Sequence, residues 1–229
     1  MKSIFLIGDS IRMGYDAYVN ESMQNVAKVF YPDSNCMYAE HVLRNLHEWK
    51  MQFGVENADA VHFNAGLWDT LRIYGDDPIT KIDVYADYIE RIMKRIKFLF
   101  PEAKIIFATS TPCIEDEFIK DFEYRTNADV EKYNKTATEI VLKHGGIVND
   151  LYDLLKDKQH LHSDQTHYYT AEGTRVIGEQ VNTVLCDALD IDRKDLILPD
   201  SSKYAQVTGK NDKEIYVKRG RFYEKVLGI

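Results

Sequence analysis

Short apolar runs alternate with amphipathic helical patterns along most of this chain. This alternation is typical of βαβ units, in which right-handed crossovers place helices on both faces of a mainly parallel sheet. The sequence therefore predicts an α/β protein, a three-layer α/β/α sandwich around a five-stranded sheet. The predicted strands cover residues 3–7, 25–31, 58–63, 104–108 and 147–148, and the predicted helices cover residues 38–51, 82–100, 128–144 and 171–189.

The length of 229 residues and a hydrophobic fraction of 45% fit one large domain with a substantial core. We assign that domain to residues 1–189. Residues 190–229 differ in character, because they are polar and include the basic stretch Lys218-Arg219-Gly220-Arg221. They are predicted to form a C-terminal extension that packs on the domain or on a partner chain, which would make a homo-oligomer.

The charge balance excludes some classes of partner. A formal net charge of −8 argues against nucleic acid or an anionic membrane surface, because both attract basic proteins.

No apolar run approaches the ~18 residues of a membrane span. Gly8 interrupts the first apolar run too early for a signal peptide, so a cytoplasmic location is expected. There the three separated cysteines would be reduced thiols: Cys36, Cys113 and Cys186.

Two short motifs at opposite ends of the chain carry reactive side chains. Gly8-Asp9-Ser10 follows the first predicted strand, and Asp164-Gln165-Thr166-His167 precedes the last predicted helix. A serine hydroxyl is a weak nucleophile that needs a base within hydrogen-bond reach. His167 could be that base, and Asp164 could orient it. Alone, Ser10 would be read as a helix N-cap and the second motif as a capped surface turn, but together they favour catalysis.

These motifs resemble those of the SGNH (GDSL) hydrolase family, and the resemblance extends over residues 1–189. It implies a flavodoxin-like α/β/α fold and hydrolysis of an ester through an acyl-enzyme, with Ser10, Asp164 and His167 as catalytic residues. It implies no metal or organic cofactor. His160 and His162 lie near His167, but their spacing fits no common metal-ligand signature.

The third family motif, Gly-x-Asn-Asp, differs in this chain. Its place is taken by Gly66-Leu67-Trp68-Asp69, so a tryptophan replaces the asparagine that helps to form the family's oxyanion hole. The run from Asn64 to Asp69 resembles a family branch with Asn-x-Gly-Leu-Trp-Asp. Either the Trp68 indole N–H or the Asn64 side chain could be the substitute donor. Equally, Trp68 could be an apolar wall and Asn64 a turn-forming residue.

The glycine motif of the family is also missing, because residues 34–38 contain no glycine. A backbone N–H of Asn35 or Cys36 is therefore the expected oxyanion donor beside the N–H of Ser10. Four further residues near these motifs are candidates for substrate binding: Asp9, Arg12, Gly66 and Asp69.

The expected substrate is a small-molecule ester, first of all an O-acetylated sugar. Many relatives in the resembled family are carbohydrate esterases, and the loops of this chain contain no long apolar lid for a fatty chain. The alternatives are a lysophospholipase, a thioesterase, or a non-catalytic binding protein that keeps the fold.

Overall fold

The computed structural model describes residues 1–120 and 122–205. The chain order of strands and helices in this part of the protein is β1 (Lys2–Ile7), α1 (Ser10–Met13), α2 (Asp16–Met23), β2 (Ala27–Phe30), α3 (Ala39–Gln52), β3 (Ala60–Phe63), β4 (Arg72–Ile73), α4 (Ile82–Leu99), β5 (Lys104–Ala108), β6 (Glu123–Tyr124), α5 (Asn127–Lys143), β7 (Ile147–Asn149), α6 (Leu151–Leu155) and α7 (Ala171–Leu189).

Five strands form a parallel sheet in the order β2-β1-β3-β5-β7. Helices cover both faces, so the predicted α/β/α sandwich is confirmed. The order is that of flavodoxin-like sheets, which bind ligands at the carboxyl ends of the strands where the winding direction reverses. In this chain the reversal lies between β1 and β3, and it is the carboxyl end of β1 that leads into Ser10.

The two faces of the sheet bury separate apolar clusters. In β1, Ile4 and Leu6 point into a cluster with α2 and α7, whereas Phe5 and Ile7 point into a cluster with α3, α4 and α5. This division follows from the two-residue side-chain period of a strand. Because both faces are covered, β1 is apolar at every position from Ile4 to Ile7, as expected for a buried parallel strand.

The structure adds elements that the sequence patterns did not predict. Helix α2 was missed because its buried side includes Asp16 and Ser22, which interrupt the apolar stripe formed by Tyr18, Val19 and Met23. A small antiparallel ladder pairs β4 with β6. Each of its strands is two residues long, too short for a periodic signal.

The described part of the C-terminal extension, residues 190–205, contacts α2. The Ile197 N–H donates to the Ser22 carbonyl at 2.9 Å, and the Ser22 hydroxyl donates to the Ile197 carbonyl at 2.8 Å. Tyr204 packs edge-on against Tyr18 and donates its hydroxyl to Glu21. The rest of the predicted extension, including the basic stretch, lies outside the described residues. None of the described helices is long and apolar enough to cross a membrane.

A histidine is buried in the centre of the sheet. His62 in β3 has no exposed surface, and its Nε2 accepts a hydrogen bond from the Asn149 side-chain amide at 3.2 Å. Gln180 donates to the oxygen of the same Asn149 side chain at 3.1 Å, which orients the amide. Burial lowers the pKa of His62 to about 4, so the ring is neutral in the folded protein.

We expect His62 to make the protein less stable in mild acid. The pKa of His62 is lower in the folded state than its ordinary value of 6.5. The unfolded chain therefore binds more protons between about pH 6.5 and pH 4, and stability falls as the pH falls through this window. From pH 7 to pH 5, His62 should contribute a loss of about 2 kcal/mol in the free energy of unfolding. Urea denaturation of the wild type and His62→Gln at both pH values measures it.

The comparison between variants isolates His62 from the buried acids. Burial raises the pKa values of Asp16 and Asp69 to about 6, which acts in the opposite direction, but both proteins contain these acids. The exposed His160, changed to Gln, is the matched control and should behave like the wild type. An equal loss of stability in His62→Gln and the wild type would contradict the prediction.

Candidate active site

Ser10 stands at the point where β1 ends and α1 begins. The Asp9 side chain caps α1, because its Oδ1 accepts the Ile11 N–H at 2.9 Å. Gly8 is required by close packing, since a Cβ built on it would lie 1.8 Å from Oδ1 of Asn64. The strand and the cap together hold Ser10 at the carboxyl edge of the sheet.

The loop before α7 presents His167 to Ser10. Asp164 organises this loop, because its Oδ1 accepts the backbone N–H groups of Thr166 and His167, each at 2.8 Å. Thr170 ends the loop as the N-cap of α7 and accepts the Gly173 N–H at 2.9 Å. The loop after β5 braces it further, because the Ile114 N–H donates to the Gln165 carbonyl at 2.9 Å.

Ser10, His167 and Asp164 form one hydrogen-bonded series. His167 Nε2 lies 2.9 Å from Ser10 Oγ, and His167 Nδ1 lies 2.9 Å from Asp164 Oδ2. Burial raises the pKa of Asp164, but the hydrogen bonds from the His167 side chain and from two backbone N–H groups outweigh it, so the pKa is lowered. An ionised Asp164 keeps the proton of neutral His167 on Nδ1, which leaves Nε2 free to accept the serine proton.

Tyr169 fixes both members of the Ser10–His167 pair, and no sequence motif indicated it. Its ring stacks on His167 with centroids 4.7 Å apart and planes inclined by 21°. Its hydroxyl donates to the Ser10 carbonyl oxygen at 2.6 Å. One side chain thus sets the plane of the imidazole and the position of the serine backbone.

A cleft of about 310 Å³ opens beside the hydroxyl of Ser10. Most of its lining residues are polar or charged, and the apolar ones come from the loop after β3. The lining residues are Ser10, Leu67, Trp68, Leu71, Glu123, Arg125, Asp164, Gln165, Thr166 and His167. Its size suits a small ligand or one end of a larger ligand.

Arg12, a candidate for substrate binding, is instead part of the protein interior. It is 1% exposed, pairs with Asp16, and donates to the Ser34 carbonyl at 2.7 Å and to the Gly8 carbonyl at 3.4 Å. These bonds engage the donors of its guanidinium group and connect the loop after β2 to the end of β1. Arg12 therefore has a structural role.

The other candidate residues for substrate binding also lie outside the cleft. Asp9 is fully buried, and its carboxylate caps α1. Asp69 is fully buried and accepts the Ala39 N–H with its carboxylate, which anchors the start of α3. Gly66 has a φ of +139° and packs against the Ser110 and Tyr85 side chains. These residues shape the loops around the cleft without lining it.

Of the predicted oxyanion donors, Cys36 and Asn64 lie outside the cleft, whereas Trp68 lines it. The Cys36 N–H donates to the Gly8 carbonyl at 3.1 Å, so it is not available to a ligand. Asn64 packs with its Oδ1 against Gly8 and does not line the cleft. Trp68 lines the cleft with Ser10, and its ring meets Tyr38 edge-on at 5.4 Å between centroids. Of the two side chains proposed as donors, Trp68 is the one placed beside Ser10.

Two charged residues of the cleft were not predicted from the sequence. Glu123 belongs to β6, and Arg125 directly precedes Thr126, the N-cap of α5. The antiparallel pairing of β4 with β6 brings this segment to the cleft, and that pairing has no local sequence signal. Among the described residues, no group of His, Cys, Asp and Glu side chains could hold a metal ion.

Known structures share this fold. No family model and no curated protein sequence matches the chain. A lipase/acylhydrolase from Enterococcus faecalis is 18% identical, with a TM-score of 0.65, covering 87% of this chain and 99% of that one. A GDSL-like lipase from Bacteroides thetaiotaomicron is 14% identical, with a TM-score of 0.62, covering 82% of this chain and 89% of that one. An acetylxylan esterase from Geobacillus stearothermophilus is 15% identical, with a TM-score of 0.60, covering 84% of this chain and 95% of that one. The predicted resemblance to the SGNH (GDSL) family is thus confirmed at the level of the fold.

The series of hydrogen bonds predicts a large effect of Asp164→Asn on any reaction in which His167 takes the Ser10 proton. Asn keeps an oxygen for the N–H groups of Thr166 and His167, so the loop should persist. Its amide would favour the wrong tautomer of His167, and kcat should fall roughly 10⁴-fold. Steady-state kinetics on any ester that the wild type hydrolyses measure this loss, and circular dichroism checks the fold. A loss below tenfold would mean that Asp164 does not set the tautomer.

Proposed function

We propose that this protein is a serine ester hydrolase that acts through an acyl-enzyme. The observation that carries the proposal is the 2.9 Å contact between Ser10 Oγ and His167 Nε2, with Asp164 on the other ring nitrogen. This geometry places the base where it can accept the serine proton. The shared fold with lipases, acylhydrolases and acetylxylan esterases supports the same reaction class.

In the proposed reaction, Ser10 Oγ attacks the ester carbonyl carbon while its proton moves to Nε2 of His167. The tetrahedral intermediate collapses when His167 returns that proton to the leaving alcohol. Water then enters, loses a proton to His167 and attacks the acyl carbon; His167 returns that proton to Ser10 Oγ as the bond to the acid product breaks. Asp164 stabilises the imidazolium formed in each half-reaction.

The negative oxygen of the tetrahedral intermediate needs hydrogen-bond donors. The Ser10 N–H lies at the start of α1 and donates no hydrogen bond to the described residues. The indole N–H of Trp68 is the proposed second donor, since Trp68 lines the cleft at the position of the family's asparagine. A donor of this kind stabilises the transition state by about 2.7–4 kcal/mol.

The proposed substrate is a short-chain ester, most specifically an O-acetyl ester of a carbohydrate. The cleft measures about 310 Å³ and has only three apolar lining residues, Leu67, Trp68 and Leu71. They can cover a methyl group but offer little surface to a long acyl chain. This argues against the alternative of a lysophospholipase. The complete series Ser10–His167–Asp164 argues against a non-catalytic binding protein, which has no need of all three side chains.

Labelling with a fluorophosphonate probe tests the nucleophile directly. The probe reacts with serines activated by a base, so the wild type should label, whereas Ser10→Ala and His167→Ala should not. Hydrolysis of acetylated sugars should fall in these variants by roughly 10⁶-fold. Butyryl and octanoyl nitrophenyl esters, compared with the acetyl ester, report the acyl length. A folded wild type that neither labels nor hydrolyses any of these esters would refute the proposal.

Trp68→Phe tests the proposed oxyanion donor. Phenylalanine keeps an aromatic wall but has no N–H, so kcat should fall about 10²- to 10³-fold while KM changes little. Trp49→Phe is the matched control, because Trp49 packs against His41 on α3 and does not line the cleft. Equal kcat values for Trp68→Phe and the control would mean that Trp68 is an apolar wall of the cleft and not an oxyanion donor.

A further inference from the structure

Arg125 holds a guanidinium group at the wall of the cleft. The residue is 7% exposed, and its Nε donates to the Leu67 carbonyl oxygen at 2.6 Å. This bond ties the segment before α5 to the loop after β3. It also fixes the plane of the guanidinium, because Nε is part of the rigid planar group. The end of the side chain is therefore held in place before any ligand arrives.

The two terminal nitrogens of Arg125 have no partner among the described residues. No hydrogen bond or ion pair joins them to residues 1–120 or 122–205, and they are not among the fully buried atoms that lack a partner. The other buried arginine, Arg12, pairs with Asp16, and the partly buried Arg72 pairs with Asp129. A mostly buried arginine whose terminal donors are unpaired at the wall of a cleft marks a place for a ligand.

The acidic groups around Arg125 do not provide that partner. Asp164 is occupied by His167 and by backbone N–H groups. Asp9 is fully buried, and its Oδ1 accepts the Ile11 N–H. Glu123 also lines the same cleft. Asp164 and Glu123 line the same cleft, so Arg125 is not an isolated positive charge, and its terminal N–H donors remain open to the cleft.

We propose that Arg125 binds an anionic group of the substrate, so that the preferred ester carries a carboxylate or phosphate near the scissile bond. A guanidinium with two free terminal nitrogens matches the paired oxygens of either group. Ser10 and Arg125 line one small cleft, so a single molecule can contact both. This inference rests on the proposed esterase function and narrows its substrate to acidic esters.

Two matched pairs of esters test the inference. The first pair is 4-nitrophenyl hydrogen succinate and its methyl ester, which places the charge on the acyl half. The second pair is 3-acetoxybenzoate and its methyl ester, which places the charge on the alcohol half. The readout is the ratio of kcat/KM for the charged and neutral members, measured for the wild type, Arg125→Gln, Arg125→Lys and Arg91→Gln. Arg91 is an exposed arginine on α4, so its variant controls for the loss of one positive charge.

For at least one pair we expect the wild type to prefer the charged ester, and Arg125→Gln to lower the ratio about 10- to 100-fold. Arg125→Lys should lower it less, since it keeps the charge but loses the planar fork. Arg91→Gln should leave it unchanged. A purely structural role of Arg125 would lower both rates together and leave the ratio unchanged, which would overturn the inference. If Arg125→Gln does not fold, the same ratio measured for Arg125→Lys tests the inference: a lowered ratio supports it and an unchanged ratio overturns it.

A binding measurement separates this inference from the proposed reaction. Calorimetric titration of Ser10→Ala with 3-hydroxybenzoate and with inorganic phosphate needs no turnover, and it distinguishes carboxylate from phosphate. Binding that is lost with Arg125→Gln in the same background supports the anion site, even if no ester is hydrolysed. Absence of binding together with an unchanged ester ratio overturns it. Ser10-dependent hydrolysis of the neutral esters would still support the esterase.

Discussion

The parallel sheet imposes the constraint on which the site depends, because all of its strands end at one edge. Ser10 follows β1, Trp68 follows β3, and Arg125 belongs to the segment after β5. These residues are distant in the chain, yet they line one cleft. His167 joins them from the loop before α7, and its contact with Ser10 spans 157 positions of sequence. A single topological feature therefore brings Ser10, His167 and the wall of the cleft together.

The two buried carboxyl groups of the Ser10 and His167 motifs have pKa values shifted in opposite directions. For Asp9, burial is the dominant influence and raises the pKa, which moves this side chain toward its neutral form. For Asp164, hydrogen bonds outweigh burial and lower the pKa. The negative charge is thus placed beside the imidazole, where it stabilises an imidazolium.

The sequence predicted the strands of the main sheet and the residues of both motifs because those signals are local. A run of apolar residues ending in Gly8 identifies β1, and a three-residue offset allows Asp164 to reach the ring of His167. The sequence could not predict Arg125 or Tyr169 as site residues. Arg125 reaches the cleft through the pairing of β4 with β6, and Tyr169 donates its hydroxyl to the carbonyl of Ser10, 159 positions away in the sequence. Both contacts depend on non-local packing, which leaves no periodic pattern.

The loop that lacks the family's glycine contributes no oxyanion donor through its Cys36 N–H. In this chain the Cys36 N–H is occupied by the Gly8 carbonyl, and Arg12 fastens the same loop through the Ser34 carbonyl. That loop is therefore a brace for the end of β1, and the Cys36 N–H cannot serve as an oxyanion donor. The loop after β3 contributes Trp68, which lines the cleft with Ser10. The donors for an oxyanion are accordingly expected at Ser10 and in the loop after β3.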